Sequence, residues 1–264
     1  MELQLFGFLG ALVVGITLGL IGSGGSILTL PVLVYIMGID PVHGTAYSLF
    51  IVGFSAFIGS FEYTRKKLVE FRAAIIFAIP AFITVYLTRL FILPAVPDPL
   101  FSIKGFVFGK NMSIMILFAL LMLAASYSMI RKNPVTETKS DHKQHYVLII
   151  LEGIVVGLFT GLVGAGGGFL IIPALVVLGR IPMKKAVGTS LLIIAAKSLI
   201  GFIGDIQNLD IDWLFLLYFS SFTTAGILSG TFISHKISSD KLKPIFGWFV
   251  FVMGIFIIFQ ELNI

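Results

Sequence analysis

Two glycine-rich breaks interrupt the long apolar stretches of this chain, and they are copies of one another. The first reads Gly19-Leu20-Ile21-Gly22-Ser23-Gly24-Gly25-Ser26-Ile27-Leu28-Thr29-Leu30-Pro31. The second begins 142 residues later and reads Gly161-Leu162-Val163-Gly164-Ala165-Gly166-Gly167-Gly168-Phe169-Leu170-Ile171-Ile172-Pro173. The offset continues without a gap: between Gly15 and Gly59, 16 of 45 positions are identical to residues 157–201. Such self-similarity marks an internal duplication.

The flanks say where the two copies live. With 58% hydrophobic and 12% charged residues among 264, the chain has too few polar groups to cover a soluble globule. Ten apolar segments follow one another: Leu3 to Ile21, Ile27 to Gly38, Gly44 to Phe61, Ala73 to Leu93, Ser113 to Ile130, Tyr146 to Val163, Phe169 to Leu178, Ala186 to Ile203, Trp213 to Ile233 and Ile245 to Phe259. They are too long and too unbroken in polarity for the alternating strands of a barrel. The expected fold is an all-α polytopic membrane protein. Its second and seventh segments, at about 18 Å for about 1.5 Å per residue, are too short to cross a core about 30 Å thick and are expected as half-helices.

Composition also removes whole classes of chemistry. The absence of cysteine excludes disulfides, thiol catalysis and Cys-ligated metals. His43, His142, His145 and His235 are scattered without metal-ligand spacing. No carboxylate pair or Ser-His-Asp set appears in the spans, so neither an enzyme nor a cofactor or metal site is expected. Gly-Ser-Gly-Gly lacks the Gly-Lys-Ser/Thr ending of a phosphate loop and follows no strand. Met1-Glu2-Leu3-Gln4 lacks the basic start of a cleaved signal, so the first segment is expected to be retained. A net charge of +5 reads as basic cytoplasmic loops rather than nucleic-acid binding.

The basic residues orient the chain. Those after the third, fifth, seventh and ninth segments, including Arg65, Lys66, Lys67, Lys139, Lys143, Lys184, Lys185 and Lys241, account for most of the 18 Lys and Arg and mark the cytoplasmic face. The opposite connections hold Lys104 and Lys110 beside Asp40, Asp98, Asp205, Asp210 and Asp212. Both termini are then outside. The loop of Arg65, Lys66 and Lys67 aligns at the repeat offset with the acidic loop of Asp205, Asp210 and Asp212, so equivalent loops face opposite sides. Parity agrees. Each glycine-broken pair crosses twice or dips and returns, which adds an even number to three full spans. We therefore expect two inverted-topology repeats, each a Gly-broken half-helix hairpin plus three full transmembrane helices, with a site near the midplane. The first repeat is residues 1–130, the cytoplasmic linker 131–145 and the second repeat 146–264, forming one integrated transmembrane domain.

The candidate site follows from the breaks. Gly22, Gly24 and Gly25, with Gly164, Gly166, Gly167 and Gly168, admit backbone conformations closed to other residues and leave room for a ligand. Helices starting near Ser26 and Phe169 would aim N–H groups and the positive dipole end at an anion, with Ser23, Ser26 and Thr29 adding hydroxyls. The competing reading is close helix packing alone. Ser48, Thr189 and Ser190, at the start of the following span in each half, either face the same cavity or bond back to their own helices. Lys197 stands mid-span, where a charge is costly unless a cavity or partner receives it. No carboxylate is expected at its depth, which favours an anionic substrate over a snorkelling or neutral lysine. Its repeat mate is Ser55. Arg89 is a weaker candidate of the same kind, because near the outer end of its span simple snorkelling accounts for it.

The two Gly-x-Gly-Gly-rich segments ending Leu-Pro-Val-Leu and Ile-Pro-Ala-Leu, with Ala186-Val187-Gly188-Thr189-Ser190-Leu191, resemble the TauE/SafE family of sulfite exporters over essentially the whole chain. In the first half the pattern changes to Gly44-Thr45-Ala46-Tyr47-Ser48. The resemblance implies a secondary transporter of the prokaryotic cytoplasmic membrane that exports sulfite, sulfoacetate or a related organosulfonate by alternating access. An importer or channel for a related small anion, and a structural subunit of a membrane complex, are the alternatives. The expected partners are a small anionic substrate and the bilayer, and a homodimer is left open.

Overall fold

The computed structural model describes residues 2–103, 106–130, 146–164, 168, 171–172, 175, 181–234 and 239–262. The expected linker 131–145 lies outside them, as do Gly166 and Gly167. The described chain is helical: α1 is Glu2–Ile21, α2 Pro41–Arg65, α3 Phe71–Leu87, α4 Lys110–Ile130, α5 Tyr146–Val163, α6 Met183–Ile206, α7 Trp213–Ser234 and α8 Ser239–Leu262. One element departs from all-α: Phe101–Ile103 (β1) and Phe106–Phe108 (β2) pair antiparallel between α3 and α4. Their aromatic and β-branched side chains suit a short ribbon once Pro97 and Pro99 have ended the helical run.

Among the described residues, five helical stretches are long and apolar enough to cross a membrane, namely Pro41–Arg65, Phe71–Ala95, Lys110–Tyr127, Lys184–Ile206 and Trp213–Ile233. Phe6–Leu20, Ser26–Ile36, Val147–Val163 and Gly247–Leu262 are shorter apolar runs. Outward-facing Phe61, Val147, Phe232 and Phe259 are 68–72% exposed, a periphery that water does not favour and lipid does.

The helix ends are chemically specified. Asp40 caps α2 by accepting from the Val42 and His43 amides at 3.1 and 3.2 Å, and Pro41 occupies the first turn, where no N–H is needed. At the other end Lys67 adopts φ 57° and the Leu68 amide donates to Tyr63 O at 2.9 Å, closing the helix.

Between α1 and α2 the first break takes a form that the sequence reading missed. Gly22 turns the chain at φ +72°, and a 3-10 helix, Gly22–Leu28, starts at once. One α-turn, Thr29–Pro31, and a π-turn, Val32–Ile36, complete the short segment. The short helix therefore begins at Gly22 rather than near Ser26, because the glycines permit immediate tight winding instead of an unwound stretch.

Glycine also sets how the helices pack. On α1, a Cβ at Gly15 would overlap Thr223 O and one at Gly19 would overlap Ile227 O, while Gly226 and Gly230 of α7 lie equally close to Leu12 and Ile16. Positions advance together on both helices, so α1 and α7 run parallel. The repeat-related pair does the same: Gly153, Gly157 and Gly161 of α5 ride over Phe77, Ala81 and Thr88 of the α3 run, with a Cβ at Gly157 falling 2.5 Å from Ala81 O. In lipid, where apolar surface alone does not drive association, such backbone proximity supplies the attraction.

At the centre, α2 crosses α6, its own repeat mate, and these are the most enclosed of the long helices. Gly53 lies against Leu199, with 3.0 Å from its would-be Cβ to Leu199 Cγ; Gly201 lies beside Leu49; and Gly188 lies against Tyr63 and Leu68. One number rises as the other falls, so the two helices are antiparallel.

Candidate functional site

Each glycine break is applied to the opposite half. Gly22 packs on Val187, 2.8 Å from its would-be Cβ to Val187 Cγ1, and 3.5 Å from Ser190 Oγ. Gly164, also at φ +72°, packs on Thr45 so closely that a Cβ there would overlap the Thr45 carbonyl. Thr45 and Val187 are themselves repeat mates. Only glycine serves at these two positions: φ is left-handed and the space is taken.

The second break gathers the charge. Lys197, fully buried on α6, donates to Thr160 Oγ1 at 2.9 Å. Thr160 is one turn before the break on α5, and its carbonyl accepts the Gly164 amide at 2.7 Å. Among the described residues no carboxylate forms an ion pair with Lys197. On the other side of Gly164, Thr45 Oγ1 accepts from Arg89 Nη1 at 2.9 Å. The same nitrogen meets Asp205 Oδ1 at 3.3 Å.

Arg89 corrects an expectation. It is fully buried in the π-turn Thr88–Ile92 rather than snorkelling, and Asp205, expected in a connection, closes the last turn of α6 at 2% exposure. Burial of both members together lets each compensate the other's charge away from water. Sequence reasoning missed this cluster because 116 residues separate its ends. One signal was present: Gly204, next to Asp205, clears the path of Arg89, whose Cβ is 3.0 Å from the would-be Cβ of Gly204.

The other candidates are placed differently from one another. Ser48 is buried with no hydrogen-bond partner among the described residues, as are Thr29, Ser55 and Ser198. Ser26 is buried and engaged, and Gly168 is buried within a helical segment. Ser23, Gly24 and Gly25 lie in the 3-10 helix. Ser190 bonds back to Val187 O at 2.8 Å, although it borders Gly22. Thr189 does something else: its hydroxyl accepts the Glu70 amide at 2.9 Å and pins the α2–α3 loop to α6. Glu70 also meets Lys185 at 3.3 Å, a half-exposed pair at the opposite end of α6 from Asp205.

Buried basic and polar side chains thus lie beside the backbone breaks, inside an apolar periphery. Comparison with known proteins agrees on the membrane. A relative in Xylella fastidiosa strain Temecula1, named as a probable membrane transporter protein, is 29% identical over 255 residues, covering 94% of this chain and 92% of that protein. Its counterpart in strain 9a5c is 30% identical over 257 residues with the same coverage. A similarly named protein of Bacillus subtilis is 27% identical over 277 residues, covering 94% of this chain and 95% of its own. No solved structure matches the chain at a significant level. The model of the sulfite exporter TauE/SafE family matches residues 7–257, and the chain belongs to that family of membrane transporters.

Proposed function

We propose that the protein is a secondary transporter that exports a small sulfur-containing anion, such as sulfite, sulfoacetate or another organosulfonate, across the prokaryotic cytoplasmic membrane by alternating access. The observation that carries this reading is Lys197: a fully buried lysine beside a left-handed glycine break, donating to a neutral hydroxyl at 2.9 Å. A cation so placed is stabilised by an anion that arrives and leaves. The hydroxyls of Ser48 and Ser55, enclosed on α2 without partners, suit the oxygens of such an anion.

The inverted architecture belongs to this proposal. Two equivalent helices that cross antiparallel, and two equivalent pairs that cross parallel between halves, are what a two-fold axis in the membrane plane requires. Rocking one half against the other then exposes the centre alternately to each face. The end that carries Arg65, Lys66, Lys67 and Lys185 is assigned to the cytoplasm by its charge. The role is transport, with no catalysis.

The test is flux. Proteoliposomes loaded with sulfite, sulfoacetate, acetate or chloride are diluted into anion-free buffer, and release is compared with protein-free liposomes. Release of the sulfur anions above that background supports the reading, and an unchanged background for every anion removes it.

A further inference from the structure

We propose that Arg89 is a second oxyanion-binding station, on the far side of the Gly164 break from Lys197, and that Asp205 holds its place until a substrate oxyanion replaces it. The inference rests on the transporter reading above and adds a residue and an exchange step to it.

The geometry of the guanidinium carries the argument. Arg89 has a single occupied nitrogen, Nη1, which serves both Thr45 and Asp205. Its Nε and Nη2 groups are buried and have no hydrogen-bond partner among the described residues, and neither has Asp205 Oδ2. Buried charged donors left unmade are costly. The Nε and Nη2 pair is the edge of arginine whose two parallel N–H groups match two oxygens of one carboxylate, sulfonate or sulfite. Arg89 thus presents an unfilled two-point oxyanion edge while a one-point contact to Asp205 neutralises it.

The position fits a transport path. Arg89 reaches Gly164 through Thr45, and Lys197 reaches it through Thr160, so the two buried cations flank one break. Along the axis of α6, Lys197 and Asp205 are about 12 Å apart at about 1.5 Å per residue, so the two charged positions mark successive levels of one helix. Asp205 is on α6 and Arg89 on the α3 run, so their contact also ties the two halves together. An anion that takes Asp205's place neutralises Arg89 and unties the pair, and Asp205, left without its counter-charge, must take up a proton or reach water as that end opens. Binding and opening at this end become one event, and an empty carrier stays shut.

The experiment is calorimetric titration of the purified full-length chain in detergent with sulfoacetate, sulfite and chloride. Asp205→Asn keeps the size and an acceptor oxygen for Arg89 while removing the competing charge. Oxyanion affinity is expected to rise about tenfold or more, with a smaller gain for chloride, which has no second oxygen. Arg89→Lys keeps the charge and loses the two-point edge, and is expected to weaken sulfoacetate binding about tenfold. Either variant decides the question if the other does not fold. If the wild-type chain binds and moves oxyanions but neither variant shifts their affinity, the assignment of Arg89 is overturned and the transporter reading stands. An equal gain for chloride and oxyanions in Asp205→Asn also overturns it, since a bare charge effect explains that result. If neither the wild-type chain nor Asp205→Asn binds any anion, both readings fall.

Discussion

Gly22 and Gly164, equivalent residues of the two halves, adopt the same φ of +72° and rest on Val187 and Thr45, equivalent residues of the halves opposite. Each break is thereby locked against the helix that begins the other half's central span.

This relationship predicts unequal costs for the same substitution. Gly22→Ala places a Cβ 2.8 Å from a valine methyl that can turn aside, whereas Gly164→Ala drives it into the Thr45 carbonyl, which is backbone. Both lose about 1–2 kcal/mol to the left-handed φ. Gly164→Ala is expected to lose more, to yield little monodisperse protein and to resist rescue. Gly22→Ala is expected to fold with a lowered melting temperature, partly restored by Val187→Ala. Size-exclusion profiles and thermal unfolding in detergent decide this.

Lys197→Met keeps the length of the side chain and deletes its charge. A buried ammonium is costly to enclose, so the variant should melt at the same temperature or higher. Its anion flux in proteoliposomes is expected to fall about tenfold or more, the loss of one charge-assisted contact. Retained flux would take Lys197 out of the path.

The two ion pairs that join the halves should differ sharply in stability. Arg89→Met strands Asp205 as an uncompensated buried carboxylate, at an expected loss of about 3–5 kcal/mol, most of it recovered in Arg89→Met/Asp205→Leu. Glu70 and Lys185 are each about 40% exposed, so Lys185→Ala should change stability by about 1 kcal/mol or less. Comparative thermal unfolding of the four proteins is the check.

Sidedness is testable without background, because the chain contains no cysteine. Lys67 and Asn208 are exposed at opposite ends of the α2–α6 pair. In intact cells, Asn208→Cys is expected to react with an impermeant maleimide, and Lys67→Cys only after the membrane is opened. Labelling of both from one side would overturn the inverted arrangement.

The helical membrane class, the duplication and the position of both breaks were legible in the sequence, since each is written in runs of neighbouring residues. Local reading also singled out Lys197 and Ser48, both of which are buried. It went astray where one residue's role depends on a distant partner. Thr189 looked like a lining hydroxyl and instead holds the Glu70 amide, 119 residues away in sequence. The start of the short helix was misplaced because glycines that permit unwinding equally permit a 3-10 turn.

By itself the sequence determined a chain that must live in lipid as helices, in two copies, each broken by glycine, because burial of apolar segments and backbone freedom are local properties. Only the tertiary structure decided that Arg89 and Asp205 share an enclosure, that α2 and α6 cross antiparallel, and that both buried cations flank the second break. These follow from close approach between helices far apart in the chain, where the absence of a Cβ on one side determines which side chains on the other can meet.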